Sequence, residues 1–266
     1  MQEKLDELTR ILRQHAPLLI AYSGGVDSAY LLAAAHRVLG DRVTGAIADS
    51  PSLPRQALAD ALALARSVGA PVEVVRTEEL ANADYASNPL NRCYFCKSEL
   101  FNRLDQMARE RGFAAIAYGE NADDARQVRP GLRAAQEFAV VAPLKEAGLT
   151  KAEIRALSRE LGLPTADIPA QPCLSSRIPH GTPVSVEALG MIEAGEAFVR
   201  SLGFRVFRVR HHQDGEGPAP RARVQIAPAE MAERLPGQEQ TIQDGLRAVG
   251  YRAVEIDPAG YRSALS

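Results

Sequence analysis

Three stretches of this chain hold residues whose types and spacing can do chemistry. Ser23 to Ser28 read SGGVDS, Asn91 to Lys97 read NRCYFCK, and Cys173, the last of three cysteines, lies in QPCLSSRIPHG. In the first, the adjacent Gly24 and Gly25 let backbone N–H groups close on an anion. The hydroxyls of Ser23 and Ser28 add donors, and Asp27 sits between them as the loop's carboxylate. The loop lacks the lysine of a Walker A motif, so it is not built to transfer a γ phosphate. Cys93 and Cys96 are three residues apart near the start of a helix, which puts both sulfurs on one side. Three cysteines cannot make two disulfides. Zinc would want four ligands, with His180 or His211 completing three thiolates. An iron–sulfur cube held by three cysteines would leave one iron open to sulfide or substrate. A buried pair beside a lone loop thiol needs no metal at all. On the residues alone these readings stay open.

Carboxylates gather where the phosphate loop would need a cation. Asp49 closes a strand in ADSPSLPRQ, and Gly119, Asn121, Asp123 and Asp124 follow another in YGENADD. The hard oxygens of Asp123 and Asp124 at that sheet edge suit Mg2+ bound to a triphosphate, although either acid singly also fits a helix N-terminus.

The elements that must position these residues follow from periodicity. PLLIAY, RVTGAIA, PVEVV, AAIAY and FAVVA read as strands, and residues 28–39, 54–68 and 93–111 as helices between them. The helix at 150–161 opens on a capping box, Thr150 with Glu153, and ends at Gly162. Strands separated by helices predict a doubly wound parallel α/β sheet, covered on both faces, with the loop at the carboxyl end of its first strand. Five prolines fall between Pro164 and Pro183, where no period survives. Beyond them a helix at 185–202, strands at 204–210, 221–226 and 251–256, and two short helices predict a smaller α+β domain. The expected organisation is residues 1–163 for nucleotide binding, 164–184 as a linker loop carrying Cys173, and 185–266 for substrate and oligomer contacts.

Composition bounds the classes. The 266 residues carry 31 basic and 33 acidic side chains, a net charge of −2, which argues against a dedicated nucleic-acid coat. The opening MQEKLDELTRILRQH is charged and helical, with Leu5, Leu8, Ile11 and Leu12 on one face, unlike a secretory signal. No apolar run approaches a membrane span. The expected place is the cytoplasm, where a Cys-x-x-Cys pair more often binds metal or reacts than forms a bridge.

SGGVDS after a strand resembles the pyrophosphate loop of the adenylating ATP pyrophosphatases, whose members include NAD synthetase, GMP synthetase and tRNA thiolases. The ordered set SGGVDS, NRCYFCK, YGENADD, RPGLRAA, APLKEAGLTKAEIR, PCLSSRIPHG and FRVR is similar to one family, the ATP-dependent sulfur transferase LarE. The resemblance covers most of the chain. It implies that ATP and Mg2+ adenylate a carboxylate of pyridinium-3,5-dicarboxylate mononucleotide, and that sulfur displaces AMP to leave a thiocarboxylate of the nickel-pincer nucleotide. It also implies adenosine contact at Asp49, a catalytic Cys173, an active-site acid at Glu196, and a homo-oligomer.

Two sulfur sources are implied. One branch gives up the sulfur of the cysteine matching Cys173 and is left with dehydroalanine. The other carries Cys-x-x-Cys as well and holds a 4Fe-4S cluster on three cysteines, whose open iron takes sulfide from a sulfur-donor system. With Cys93, Cys96 and Cys173 all present, the cluster is the expectation, and sacrifice of Cys173 the fallback. Arg208 and Arg210 share strand parity and could grip the substrate's phosphate or second carboxylate, beside Ser176 and Arg177. Gln225 stands where the family's acid is expected, which puts a metal role there in doubt. Two rivals remain: a tRNA thiolase, whose arginines would track a phosphate backbone, and a nucleotide-binding module tied by zinc.

Overall fold

The structure, a computed structural model, describes residues 1–126, 130–169, 171–213 and 220–261. The chain begins α1 (Gln2–Gln14), β1 (Leu18–Ala21), α2 (Val26–Leu39), β2 (Val43–Asp49), α3 (Arg55–Ser67) and β3 (Val72–Arg76). It continues with α4 (Ala83–Ala86), α5 (Arg92–Arg111), β4 (Ala115–Tyr118), α6 (Pro130–Glu137), α7 (Pro143–Glu146) and α8 (Lys151–Glu160). The remainder is α9 (Val186–Ser201), β5 (Phe207–His212), β6 (Arg221–Ile226), α10 (Pro228–Arg234), α11 (Glu239–Val249) and β7 (Ala253–Ile256). Two compact units result, Met1–Glu79 with Asn91–Gln171, and Leu80–Leu90 with Pro172–Ser266.

In the first unit four parallel strands lie in the order β3-β2-β1-β4. Alternation along β1 decides how the faces are covered. Leu18 and Ile20 join α1, α2 and α8 in one core, whereas Leu19 joins Phe101, Leu104 and Ala108 of α5 in another. The sheet is therefore buried on both sides, as its continuous apolar strands require. The anticipated face of α1 is buried at Leu8, Ile11 and Leu12. The capping box of α8 is formed in both directions: the Thr150 hydroxyl accepts from the Glu153 N–H, and the Glu153 carboxylate accepts from the Thr150 N–H at 2.8 Å. Among the described residues no helix is long and apolar enough to cross a membrane.

FAVVA, expected as a strand, is not one. Ala139 has φ +50°, which breaks extension, and only Val141 bridges to Ala117 of β4. The strand expected from Phe204 starts at Phe207, because the N–H groups of Arg205 and Val206 are taken by the Glu230 carboxylate at 3.0–3.1 Å. A side chain there does the work of a neighbouring strand.

The second unit has a three-stranded sheet, β5-β6 antiparallel and β6-β7 parallel. Val209, Val224, Ile226, Ile242, Leu246 and Phe204 form its core with α9 and α11. The proline-rich stretch around Cys173 packs rather than hangs: Leu174, Ser175, Arg177 and Ile178 are buried. What receives it is the short segment 80–90. Asn88 is fully buried at φ +58° and donates to the carbonyls of Pro179 (2.8 Å) and Thr182 (2.9 Å), while Tyr85 and Ser175 share a hydroxyl bond of 2.8 Å.

Candidate functional site

β1 delivers the chain into the Ser23–Ser28 turn, and α2 begins at once with Gly25 as its cap. No side chain caps that helix, so its first N–H groups and its dipole are left for an anion. Ser28 organises the turn by accepting the Ser23 N–H (3.2 Å), bonding the Ser23 hydroxyl (3.0 Å) and donating to the Gly25 carbonyl (3.1 Å). Gly24 has φ +74°, and a Cβ on it would stand 2.7 Å from that of Ala61. Gly119 serves packing: a Cβ there would come within 2.6 Å of the Ser28 nitrogen and 2.9 Å of the Asp27 carbonyl carbon. The end of β4 thus presses against the loop and holds its shape.

The acids divide by partner. Asp27, in the first turn of α2, meets the Lys151 ammonium at 2.5 Å and Asn121 at 3.5 Å through Oδ2, while its buried Oδ1 has no hydrogen-bond partner. Asp123 accepts the Lys151 N–H at 2.8 Å and so caps α8, and Asp124 accepts from the side chain and N–H of Asn121. Asp49 pairs with Arg55, whose guanidinium also reaches the carbonyls of Ser50 and Leu53. Asp27 thus buries a carboxylate oxygen without a protein partner, which a cation would satisfy.

Sequence reading passed over Lys151, Glu120 and Lys145 as site residues. Lys151 had a signal: a cation at the first helical position opposes the dipole unless an acid faces it. Glu120, only 4% exposed, pairs with Lys145 at 2.8 Å and accepts the Tyr118 hydroxyl. Burial, then Glu120, push the Tyr118 pKa upward, so that phenol stays a donor.

Cys93 and Cys96 occupy the first turns of α5, in the first unit, Cys93 exposed and Cys96 half-exposed. Cys173, a free thiol, caps a 3-10 turn over Leu174–Arg177 in the second unit. Among the described residues no three His, Cys, Asp or Glu side chains gather as a metal site. The turn that follows Cys173 is heavily tied. Arg177 bonds both oxygens of Glu196 (2.8 and 3.0 Å), and Arg210 donates to the Ser176 carbonyl at 2.7 Å.

Strand alternation puts Arg208 and Arg210 on one face of β5, opposite Gln225 and Arg223 of β6. Gln225 bridges, accepting from Arg210 (2.9 Å) and donating to Asp257 (2.8 Å). Arg208 lies 4.7 Å over the Tyr261 ring. Burial, then the charge of Arg177, lower the pKa of both Arg208 and Arg210, so the cations are held close at an electrostatic cost that an anion would relieve. His211 points the other way, into the core against Tyr251, and His180 faces the Asn88 carbonyl at 3.4 Å.

A doubly wound parallel sheet with a Gly-Gly turn and an uncapped helix at its carboxyl edge defines a nucleotide-binding protein of the PP-loop class. A glutamine-hydrolyzing GMP synthase of Thermomicrobium roseum is 29% identical over 69% of this chain and 39% of its own length. No family model matches the chain. An uncharacterized protein of Synechocystis sp. is 40% identical over 99% of this chain and 96% of its own. The pyridinium-3,5-bisthiocarboxylic acid mononucleotide synthase of Lactiplantibacillus plantarum is 33% identical over 98% of this chain and 92% of its own. The chain belongs to the family of that synthase, the LarE family, and is an enzyme of sulfur-transferring type.

Proposed function

We propose that this enzyme converts carboxylates of pyridinium-3,5-dicarboxylate mononucleotide to thiocarboxylates through an adenylate, in nickel-pincer nucleotide biosynthesis. The observation that carries the reading is the 33% identity to the Lactiplantibacillus plantarum synthase across 98% of the chain. In this reading the Ser23–Ser28 turn and the α2 N-terminus take the β and γ phosphates of ATP. Mg2+ fits Asp27, whose buried Oδ1 is unpartnered, with Asp123 and Asp124, each of which accepts hydrogen bonds through Oδ2, as the weaker ligands. A substrate carboxylate oxygen attacks the α phosphorus, and pyrophosphate leaves with the electron pair of the broken P–O bond. Sulfur then attacks the acyl carbon and AMP departs, a far better leaving group than the original oxygen. Arg208 and Arg210, with Ser176, hold the substrate's anionic groups.

For the sulfur we favour a 4Fe-4S cluster. The chemistry of the donor set fits it: three cysteine sulfurs, two of them one helical turn apart on α5. When bound by Cys93, Cys96 and Cys173, the cluster would supply an open iron carrying sulfide. The fallback uses Cys173 alone. Its Sγ would form a thioester with the acyl group, after which loss of the Hα proton makes the Cα=Cβ bond, breaks Cβ–S, and leaves thiocarboxylate and dehydroalanine. The free, half-exposed Cys173 thiol on an anchored turn is the observation that keeps this second reading. The proposal extends to a cytoplasmic homo-oligomer, with residues 1–163 binding ATP and 185–266 handling substrate.

Iron and sulfide analysis of protein purified without oxygen tests the reading. Brown protein with about four irons per chain is expected, lost in each of Cys93→Ala, Cys96→Ala and Cys173→Ala. Colourless protein that turns over once and loses the mass of one sulfur at Cys173 would establish sacrifice. One zinc without ATP-dependent AMP release would point to a zinc-tied nucleotide-binding module, and tight, salt-sensitive binding of bulk tRNA to a thiolase.

A further inference from the structure

The residues around Cys173 form a buried frame whose donors face the chain's own backbone. Arg177 is 3% exposed, and each of its three guanidinium nitrogens has a partner within the second unit. Nε and Nη2 take the two oxygens of Glu196, at 2.8 and 3.0 Å. Nη1 donates to the carbonyls of Pro172 (2.6 Å) and Cys173 (3.0 Å) and reaches the Ser176 hydroxyl at 3.0 Å. Glu196 is committed too, since its Oε1 also accepts the Val209 N–H at 3.2 Å and so fastens α9 to β5. The Cys173 carbonyl is further bonded by the Ser176 N–H at 3.0 Å, the Ser176 carbonyl by Arg210, and Ser175 by Tyr85. Two successive carbonyls, one on each side of the Cys173 nitrogen and Cα, are thereby fixed by a single planar group.

The geometry points to a positioning role for the Arg177–Glu196 pair: it aims the Cys173 sulfur and does not itself grip substrate. A guanidinium suits this because its fork satisfies a carboxylate on one edge and carbonyls on another, which an ammonium cannot do at once. Buried ion pairs contribute little net stability when compared with apolar replacements, so retaining one beneath a reactive turn is better explained by the geometry it imposes. Misplacing a reacting atom by about 1 Å costs on the order of a hundredfold in rate. The inference rests on the proposed sulfur transfer, in which Cys173 acts as ligand or as donor.

The test separates aim from grip. With the pyridinium substrate and ATP, Arg177→Gln should release AMP with a substrate KM within about twofold of the parent. Its thiocarboxylate yield per AMP should fall about tenfold or more, because water takes the waiting adenylate. Arg177→Lys should recover part of that yield, and Glu196→Gln, which leaves the carbonyl bonds in place, should lose less. A raised KM with an unchanged yield per AMP would overturn the inference, since it marks a substrate contact. Should Arg177→Gln melt early, Arg177→Lys and Glu196→Gln carry the same decision through their own KM and yield per AMP. Parent protein that releases no AMP would defeat the proposed function instead. An independent reading uses reduced, chelator-treated full-length protein and iodoacetamide: Arg177→Gln should change the alkylation rate at Cys173 by about threefold or more while Cys93 keeps its rate. An unchanged Cys173 rate would overturn the inference without reference to any substrate.

Discussion

Asp27 shows how one residue can be read from both sequence and structure. Its place in SGGVDS marks it as the loop's carboxylate, but only the fold shows Oδ2 neutralised by Lys151 and Oδ1 buried without a partner. Asp27→Asn keeps the volume and removes the charge, so ATP-dependent AMP release should fall about 10²-fold or more while the thermal midpoint stays nearly unchanged. Gly119 makes the opposite case. A methyl group there meets backbone of Ser28 and Asp27, which cannot step aside like a flexible side chain. Gly119→Ala should cost about 1–3 kcal/mol in urea unfolding and weaken ATP binding, because relief of the overlap must distort the loop.

Helix α8 ties local sequence to a measurable pH response. Hydrogen bonding from Lys4 first, and then from the Thr150 backbone, holds the Glu153 carboxyl at about 2, against an ordinary value of 4.5. The folded state therefore holds this proton more weakly than the unfolded chain. The stabilisation is complete above the ordinary value and is lost as pH falls toward about 2. Glu153→Gln should lose about 1–2 kcal/mol near neutral pH and flatten the acid limb of stability in that window, as urea unfolding at about pH 7 and about pH 3 would show. His211 on β5 shifts the same way for a different reason: burial lowers its pKa below 6.5, so protonation favours the unfolded chain. Stability of the second unit should decline as pH falls through 6.5, and His211→Phe should remove that part of the slope.

On the scale of the whole molecule, the apolar residues of the described chain form separate cores in the two units. Unfolding need not be a single transition in such a chain. Phe207→Ala, deleting a side chain only 1% exposed, should cost the second unit about 3–5 kcal/mol and shift one transition ahead of the other in calorimetry. If iron joins Cys93 and Cys96 of one unit to Cys173 of the other, chelation should lower the midpoint and separate the transitions. Unchanged calorimetry after iron removal would count against a three-cysteine cluster.

The individual strands of the first unit, the SGGVDS turn, the α8 capping box and the alternating arginines of β5 were legible in sequence because each rests on neighbours within a few residues. Local period and turn chemistry determine them. FAVVA misled because a short apolar run fits a buried strand as well as the exit of a helix, and the φ of Ala139 has no clear signature in composition. Nor could spacing show that segment 80–90 receives the Cys173 turn through Tyr85 on Ser175, and the residues after it through Asn88 on Pro179 and Thr182, about ninety residues distant in sequence. The same holds for Lys151 on Asp27 and for Arg177 on Glu196. Sequence by itself determined the nucleotide loop and the presence of three thiols. Only the tertiary structure decided that Asp27 buries an oxygen without a protein partner and what holds Cys173, because buried charges find their partners across the fold rather than along the chain.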